Sequence, residues 1–169
     1  MEALEALLTR RAVREYTSEP VTEEELQTIL RAAMHAPSAC NQQPWHFIVV
    51  DDRETLNAIA ASHPYAQMLL QAPMAIFVCA DVTLETCRGH WTSDCSAAME
   101  NLLLAAHAVG LGSVWVAVHP SEQRVQAVRE LLHLPNFVVP LCLAPLGHPA
   151  NPLPKVDRFN PARVHRGGW

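Results

Sequence analysis

Residues 93–118, SDCSAAMENLLLAAHAVGLGSVWVAV, contain the most apolar helix pattern of the chain and the strand pattern that follows it. Apolar side chains occupy nearly every face of residues 93–109, and Gly110 is a residue type that ends helices. A helix of this kind is either buried at the centre of a domain or shared with a second subunit. We therefore predict a helix over 93–109, a strand over 113–118 and, as the economical arrangement, a homodimer.

Outside this stretch, helical and strand patterns alternate without a helix between every pair of strands, which favours an α+β fold over a doubly wound one. Thr22 and Glu25 form the spacing of a capping box at the start of a helix. The other predicted helices are 2–10, 54–61, 65–70 and 122–132, and the predicted strands are 46–51, 74–80 and 137–146. Pro140 and Pro145 place the last strand at a sheet edge or bend it. Residues 148–169 form an extended tail, and no linker or repeat divides the single domain predicted over 1–169.

The composition excludes several classes of protein. The formal net charge of −5 argues against nucleic acid as a partner, because phosphate binding requires a basic surplus. The sequence has no apolar run long enough to span a membrane and no signal-peptide pattern. Its 5 cysteines include no C-x-x-C pair, and several lie in apolar runs where a reduced thiol packs as a small core residue. These features predict a cytoplasmic protein with no membrane partner.

Two groups of polar residues are more numerous than a scaffold requires. The turn APSACNQQP, residues 36–44, holds many neutral hydrogen-bonding groups and no charge. Basic residues concentrate near the two chain ends instead: Arg10, Arg11, Arg14, Lys155, Arg158, Arg163 and Arg166. On a helix, Arg10 and Arg14 would reach the same point, where a phosphate suits two guanidinium groups. The pattern predicts a phosphate clamp, with a solvated helix end as the alternative.

Other common sites are absent or poorly matched. Gly110-Leu111-Gly112 lies between a helix and a strand, which reverses the order that a dinucleotide-binding fold requires. Cys87, His90, Asp94 and Cys95 could form half of a metal knuckle, but their spacing fits no compact zinc pattern. We expect no metal.

Five motifs stand out along the chain: RRAVREY at 10–16, APSACNQQPW at 36–45, DCSAAMEN at 94–101, GLGSVW at 110–115, and the tail with Lys155, Arg158 and Phe159 that ends in Trp169. Taken together, their order and spacing closely resemble the nitroreductase family of FMN-dependent oxidoreductases over nearly the whole chain. The resemblance implies a nitroreductase-like α+β fold, in which helices flank a central, mainly antiparallel sheet and the C-terminal tail is extended. It also implies a homodimer with two FMN molecules at the subunit interface.

The resemblance assigns roles residue by residue. Those expected at the flavin phosphate and ribityl chain are Arg10, Arg11, Arg14, Lys155 and Arg158. Those expected at the isoalloxazine ring, from the other subunit, are Pro37, Ser38, Ala39, Asn41 and Gln43. Backbone N–H groups of Ala117 and Val118 match positions near the N5 side of the ring. Tyr65, Met68 and Trp91 are candidates for the acceptor pocket, with core or interface packing as their alternative.

The implied function is NAD(P)H-driven reduction of nitroaromatics, quinones or similar electron-poor acceptors by a ping-pong mechanism. FMN carries the chemistry, so we expect no acid or base residue from the protein. Neutral amides suit the carbonyl-rich edge of the flavin ring, and guanidinium groups suit its phosphate. The alternatives are a flavin-binding or storage protein with little turnover, and another reaction of the same family, such as dehydrogenation, reductive dehalogenation or flavin fragmentation.

Overall fold

The central element of the protein is a five-stranded sheet in the order β1-β2-β5-β3, with β4 also paired to β5. A computed structural model describes the whole chain, from Met1 to Trp169. The strands are β1 (Trp45–Val50), β2 (Met74–Asp81), β3 (Gly112–Ser113), β4 (Val116–Ala117) and β5 (Val138–Gly147). Every pairing between them is antiparallel, which confirms the predicted sheet.

Five helices flank the sheet: α1 (Ala3–Thr9), α2 (Glu23–Met34), α3 (Arg53–Ser62), α4 (Trp91–Ala108) and α5 (Glu122–Leu131). Local sequence signals begin several of them. Thr22 and Glu25 form the predicted capping box of α2, and the hydroxyl of Ser121 accepts a hydrogen bond from the Arg124 N–H at the start of α5. The helix predicted over 65–70 is only a short 3₁₀ turn, Gln67–Leu70.

The position of strand β2 between two cores explains why its sequence is continuously apolar. Side chains alternate between the two faces of a strand. Ile76 and Val78 pack into a core with α2 and α4 on one face, whereas Phe77 and Cys79 pack into a second core with α3 and α5 on the other. Both faces of the sheet are therefore covered, and the predicted α+β class is confirmed.

Helix α4 is buried on one side and apolar on part of its other side. Cys95, Met99 and Leu102 are fully buried against the sheet, so this face of the helix follows the first of the two predicted alternatives, burial at the centre of the domain. Leu104 and Ala105 instead line a groove of about 450 Å³ between α1, α2 and α4. Helix α4 is apolar, but neither it nor any other helix of the structure is long and hydrophobic enough to cross a membrane.

Two predictions about the strands are wrong in part. Strand β5 lies inside the sheet between β2 and the β3–β4 pair, not at its edge. It accommodates Pro140, which lacks an N–H for the ladder, because the register with β2 shifts between Val78 and Cys79. The segment predicted as one strand over 113–118 forms two short strands, β3 and β4.

The cysteines divide into two kinds. Cys79, Cys95 and Cys142 are buried free thiols, as predicted for core cysteines, and burial raises the pKa of Cys79 and Cys95 to about 12. Cys40 and Cys87 form a disulfide that the sequence analysis did not predict. The alternative of a metal knuckle loses support, because Cys87 is bonded to Cys40 while the Cys95 thiol donates to the Cys79 carbonyl.

Candidate active site

The N-terminal arginines lie on an extended segment, so the prediction that Arg10 and Arg14 meet on a helix is wrong. Helix α1 ends at Thr9, and Arg10 has extended backbone angles. The Val13 N–H donates to the Ser113 carbonyl at 2.9 Å, so the segment adds to the β3 side of the sheet. Gly112 permits this approach, since a Cβ there would lie 2.7 Å from a Val13 methyl carbon. Arg10 and Arg14 are instead about 13 Å apart along the backbone.

Each of the three arginines has a different environment. Arg10 forms an ion pair with Glu100 at 3.4 Å, both partly exposed. Pairs of this kind contribute at most about 1 kcal/mol, so Arg10 can exchange Glu100 for a stronger anion. The guanidinium of Arg11 donates to the Pro154 carbonyl in the tail. Arg14 lines a cavity beside β4, and it is the only one of the three arginines that does so.

This cavity has a volume of about 500 Å³ and combines apolar walls with two cations. Its lining residues are Arg14, Pro64, Tyr65, Gln67, Met68, Val114, Trp115, Val116, Ala117 and Arg124. No carboxylate is among them. The structure thus brings together Arg14, Tyr65, Met68 and Ala117, which the sequence analysis had singled out separately.

Ala117 and Val118 present their backbone groups differently. Val118 is fully buried, and its N–H donates to the Leu141 carbonyl at 3.0 Å. Because backbone groups alternate in direction along a strand, the N–H of Ala117 points away from β5, toward the open edge. The Ala117 carbonyl on that edge accepts hydrogen bonds from His63 at 2.8 Å and Arg124 at 3.4 Å. The geometry suits the role predicted for Ala117, but the Val118 N–H is already used within the sheet.

The polar turn before β1 is held by a buried carboxylate. Asp94 is 4% exposed and accepts hydrogen bonds from the Ala39 N–H at 2.9 Å and the Gln42 side chain at 2.6 Å. The carbonyl oxygen of that Gln42 side chain accepts from the N–H groups of Thr86 and Cys87 at 3.0 and 2.9 Å. Gln42 therefore fastens the turn to the segment before α4. Part of the amide content of the turn has this structural role.

Of the residues expected to face a flavin ring, three are exposed on the outer side of the same turn and two are half-buried: Pro37, Asn41 and Gln43 in the first group, Ser38 and Ala39 in the second. Gln43 donates through its backbone N–H to the Ser38 hydroxyl and through its side chain to Asn41, at 3.0 and 2.8 Å. Cys40, Asn41 and Gln43 all have positive φ, at 51°, 52° and 46°. Such angles disfavour residues with a side chain, and they cluster where a ligand is held. The turn is thus a constrained surface with exposed neutral amides.

The turn and the Arg14 segment lie at opposite edges of the sheet in one chain. The turn precedes β1 at one edge, whereas the Arg14 segment pairs with β3 at the other edge through Ala12 and Ser113. Four strand spacings separate them, which is about 19 Å. One chain therefore does not enclose a small ligand between these two groups.

The basic tail does not reach the cavity either. Its root is anchored where the Ala150 N–H donates to the Glu15 carbonyl at 3.0 Å. Beyond this point Lys155 and Arg158 are exposed and lie beside α1. Phe159 is 75% exposed and Trp169 is completely exposed. The tail presents cations and large apolar side chains to the solvent.

Of the predicted pocket residues, Trp91 lies outside the cavity. Its ring packs edge-on against His119 with 4.9 Å between ring centroids, and it contacts the core beneath α4. Tyr65 is 67% exposed and lies at the mouth of the cavity. Gln67 and Arg124 line the same cavity, although the sequence analysis did not single them out. The sequence feature that could have drawn attention to Arg124 is its position in the first turn of the helix capped by Ser121.

Comparison with known proteins identifies the class to which this fold and cavity belong. The chain matches the nitroreductase family model over residues 7–63 and 59–148, and it belongs to that family. It is 48% identical over 169 residues to a Methanothermobacter thermautotrophicus protein named "Putative NADH dehydrogenase/NAD(P)H nitroreductase", covering 100% of this chain and 88% of that protein.

Solved structures agree with this assignment. The fold superposes with a TM-score of 0.91 on an FMN-dependent nitroreductase from Clostridium difficile R20291, at 30% identity, covering 98% of this chain and 99% of that one. It superposes with a TM-score of 0.86 on a "putative nitroreductase in complex with fmn" from Desulfovibrio desulfuricans, at 29% identity, covering 100% and 98% of the two chains.

Proposed function

We propose that this protein is an FMN-dependent NAD(P)H oxidoreductase that reduces nitroaromatics, quinones or similar electron-poor acceptors by a ping-pong mechanism. The observation that carries the proposal is the cavity beside β4, which is lined by Arg14, by apolar side chains and by Ala117, whose backbone N–H points away from β5. Bound FMN supplies hydride-transfer chemistry that no protein side chain can supply. The names of the relatives support this cofactor and this donor.

The residues present fit FMN chemically. Arg14 offers a guanidinium fork to the phosphate, and Arg10 can join it by leaving Glu100. Val114 and Met68 offer apolar surface to the planar ring. The backbone N–H of Ala117 is a neutral donor that suits the polar atoms of the ring. No carboxylate lines the cavity to repel them. Arg11 has a supporting role in this proposal, since its bond to Pro154 positions the tail.

We further propose that two chains complete each site. Leu4 and Leu8 of α1 are each 73% exposed, and together with the apolar groove along α4 they form a surface that a second copy covers. A two-fold axis brings the same patch of each chain against the other. It can thereby carry the turn at 37–43 of one subunit, with Pro37, Ser38, Ala39, Asn41 and Gln43, to the cavity of the other. The basic tail, with Lys155 and Arg158, then lies against the partner.

The protein's contribution to the reaction is binding, orientation and exclusion of water. The cavity contains no acid or base suited to proton transfer, since its ionisable side chains are two arginines and a tyrosine. Ala117 offers a fixed N–H to the flavin. Tyr65 and Met68 lie at the open side, where a nicotinamide donor and an acceptor bind in turn.

This proposal predicts a flavin that is reduced and reoxidised. The purified protein should show the visible absorption bands of oxidised FMN, which NADH or NADPH should bleach under anaerobic conditions. A nitroaromatic compound should then restore them. A flavin that resists reduction by both nucleotides would indicate a storage protein, and a chain that takes up no FMN would refute the proposal altogether.

A further inference from the structure

Arg124 is a cation at the mouth of the cavity whose role the proposed function leaves open. It lies in the first turn of α5, where Ser121 caps its backbone N–H. Its guanidinium carbon lies 5.3 Å from the centre of the Tyr65 ring. One of its nitrogens donates to the Ala117 carbonyl at 3.4 Å. The side chain is therefore held by an aromatic face on one side and by the edge of β4 on the other.

The guanidinium of Arg124 has unused hydrogen-bonding capacity. Arginine carries five N–H donors, and the side chain of Arg124 makes one hydrogen bond. It has no carboxylate partner, because the two ion pairs of the structure involve Arg10 and His148. In the proposed function Arg14 binds the flavin phosphate, so Arg124 is the cation of this cavity that has no anionic partner, and no acid lines the space. A cation in a space without acids favours an anionic ligand.

We propose that Arg124 selects acceptors that carry an anionic group, such as a carboxylate, on an electron-poor aromatic ring. The ring would lie against Tyr65 and Met68, and the anionic group would accept hydrogen bonds from the free side of the guanidinium. Tyr65 is largely exposed, so this contact belongs to the entrance that a substrate reaches first. The inference rests on the proposed function for its catalytic consequence, but the anion preference itself is a binding property.

Equilibrium binding of two ligands measures the effect of the anionic charge separately from that of the aromatic ring. Benzoate and benzamide have nearly the same shape and differ in charge. Titration calorimetry of the FMN-loaded protein at low salt should show benzoate binding about tenfold more tightly, the lower range for a charge-assisted hydrogen bond at a half-exposed site. Arg124→Gln should abolish the preference and Arg124→Lys should keep part of it. Arg31→Gln, an exposed change on α2 with the same effect on net charge, should leave the preference intact.

The same contrast should appear in turnover. The ratio of kcat/KM for 4-nitrobenzoate to that for 4-nitrobenzamide should fall about tenfold in Arg124→Gln, while KM for NADH stays the same. Equal binding of benzoate and benzamide to the wild-type protein would overturn the proposal. So would loss of FMN from the Arg124→Gln variant, or a raised KM for NADH with the acceptor ratio unchanged, because Arg124 would then hold the cofactor or the donor. If the flavin is never reduced, the proposed function fails, but the calorimetric preference still tests the anion site.

Discussion

Replacing Arg14 with alanine is expected to weaken FMN binding by roughly 10- to 100-fold. The flavin phosphate would lose a charge-assisted hydrogen bond worth about 1.5–3 kcal/mol. Arg14 is exposed and makes no hydrogen bond or ion pair within the chain, so the variant should fold normally. Titration of the apoprotein with FMN, followed by the quenching of flavin fluorescence, measures the change. Equal melting temperatures of the two apoproteins would show that the fold is intact.

Two further variants show whether the loss belongs to the guanidinium at this position. Arg14→Lys should retain part of the affinity, because lysine keeps the charge but lacks the planar fork. Arg31→Ala removes an exposed arginine from α2 and should leave FMN affinity unchanged. Wild-type affinity in Arg14→Ala would show that the phosphate is held elsewhere.

Replacing Asp94 with asparagine is expected to lower the free energy of unfolding by about 3 kcal/mol. The carboxylate is 4% exposed and receives two hydrogen bonds, from Ala39 and Gln42. Asparagine offers one acceptor oxygen, so its NH₂ group must face one of these two donors. The loss of a charged acceptor and the buried donor left without a partner together give the expected cost. Urea unfolding of the apoprotein measures it.

The same substitution should also weaken FMN binding, because the turn at 37–43 loses its attachment to α4. Asp51→Asn is the matched control, since Asp51 is exposed and has no hydrogen-bond partner in the structure; we expect a change within about 0.5 kcal/mol. Wild-type stability and FMN affinity in Asp94→Asn would show that the carboxylate does not hold the turn.

Local sequence patterns predicted much of the fold. The capping box of Thr22 and Glu25, the two-faced strand β2 and the long helix closed by Gly110 all depend on residues close together in the chain. The errors arose where a distant contact decided the conformation. The Arg14 segment is extended because Val13 packs on Gly112, about one hundred residues away. Pro140 lies inside the sheet because the register between β2 and β5 shifts beside it.

The candidate site was predictable residue by residue but not as an arrangement. Arg14, Tyr65, Met68 and Ala117 do line one cavity. Their convergence depends on strand order, which spacing alone does not reveal. Gln42 belonged to a recognised motif, yet its contact with the segment at 86–87 is long-range. The disulfide between Cys40 and Cys87, 47 residues apart, could not be predicted either, because cysteine counts do not determine connectivity.

The central claim is that FMN lies between the Arg14 cavity of one subunit and the turn at 37–43 of the other. Native mass spectrometry of mixed dimers tests it most directly. Arg14→Ala and Asp94→Asn homodimers are first brought to an FMN concentration at which neither retains flavin. Subunits of the two variants, distinguished by mass, are then exchanged. In a mixed dimer, the Arg14→Ala subunit supplies an intact turn and the Asp94→Asn subunit an intact cavity, so one site is whole. We predict one FMN per mixed dimer. Mixed dimers without FMN, or wild-type monomers that retain FMN, would contradict the account.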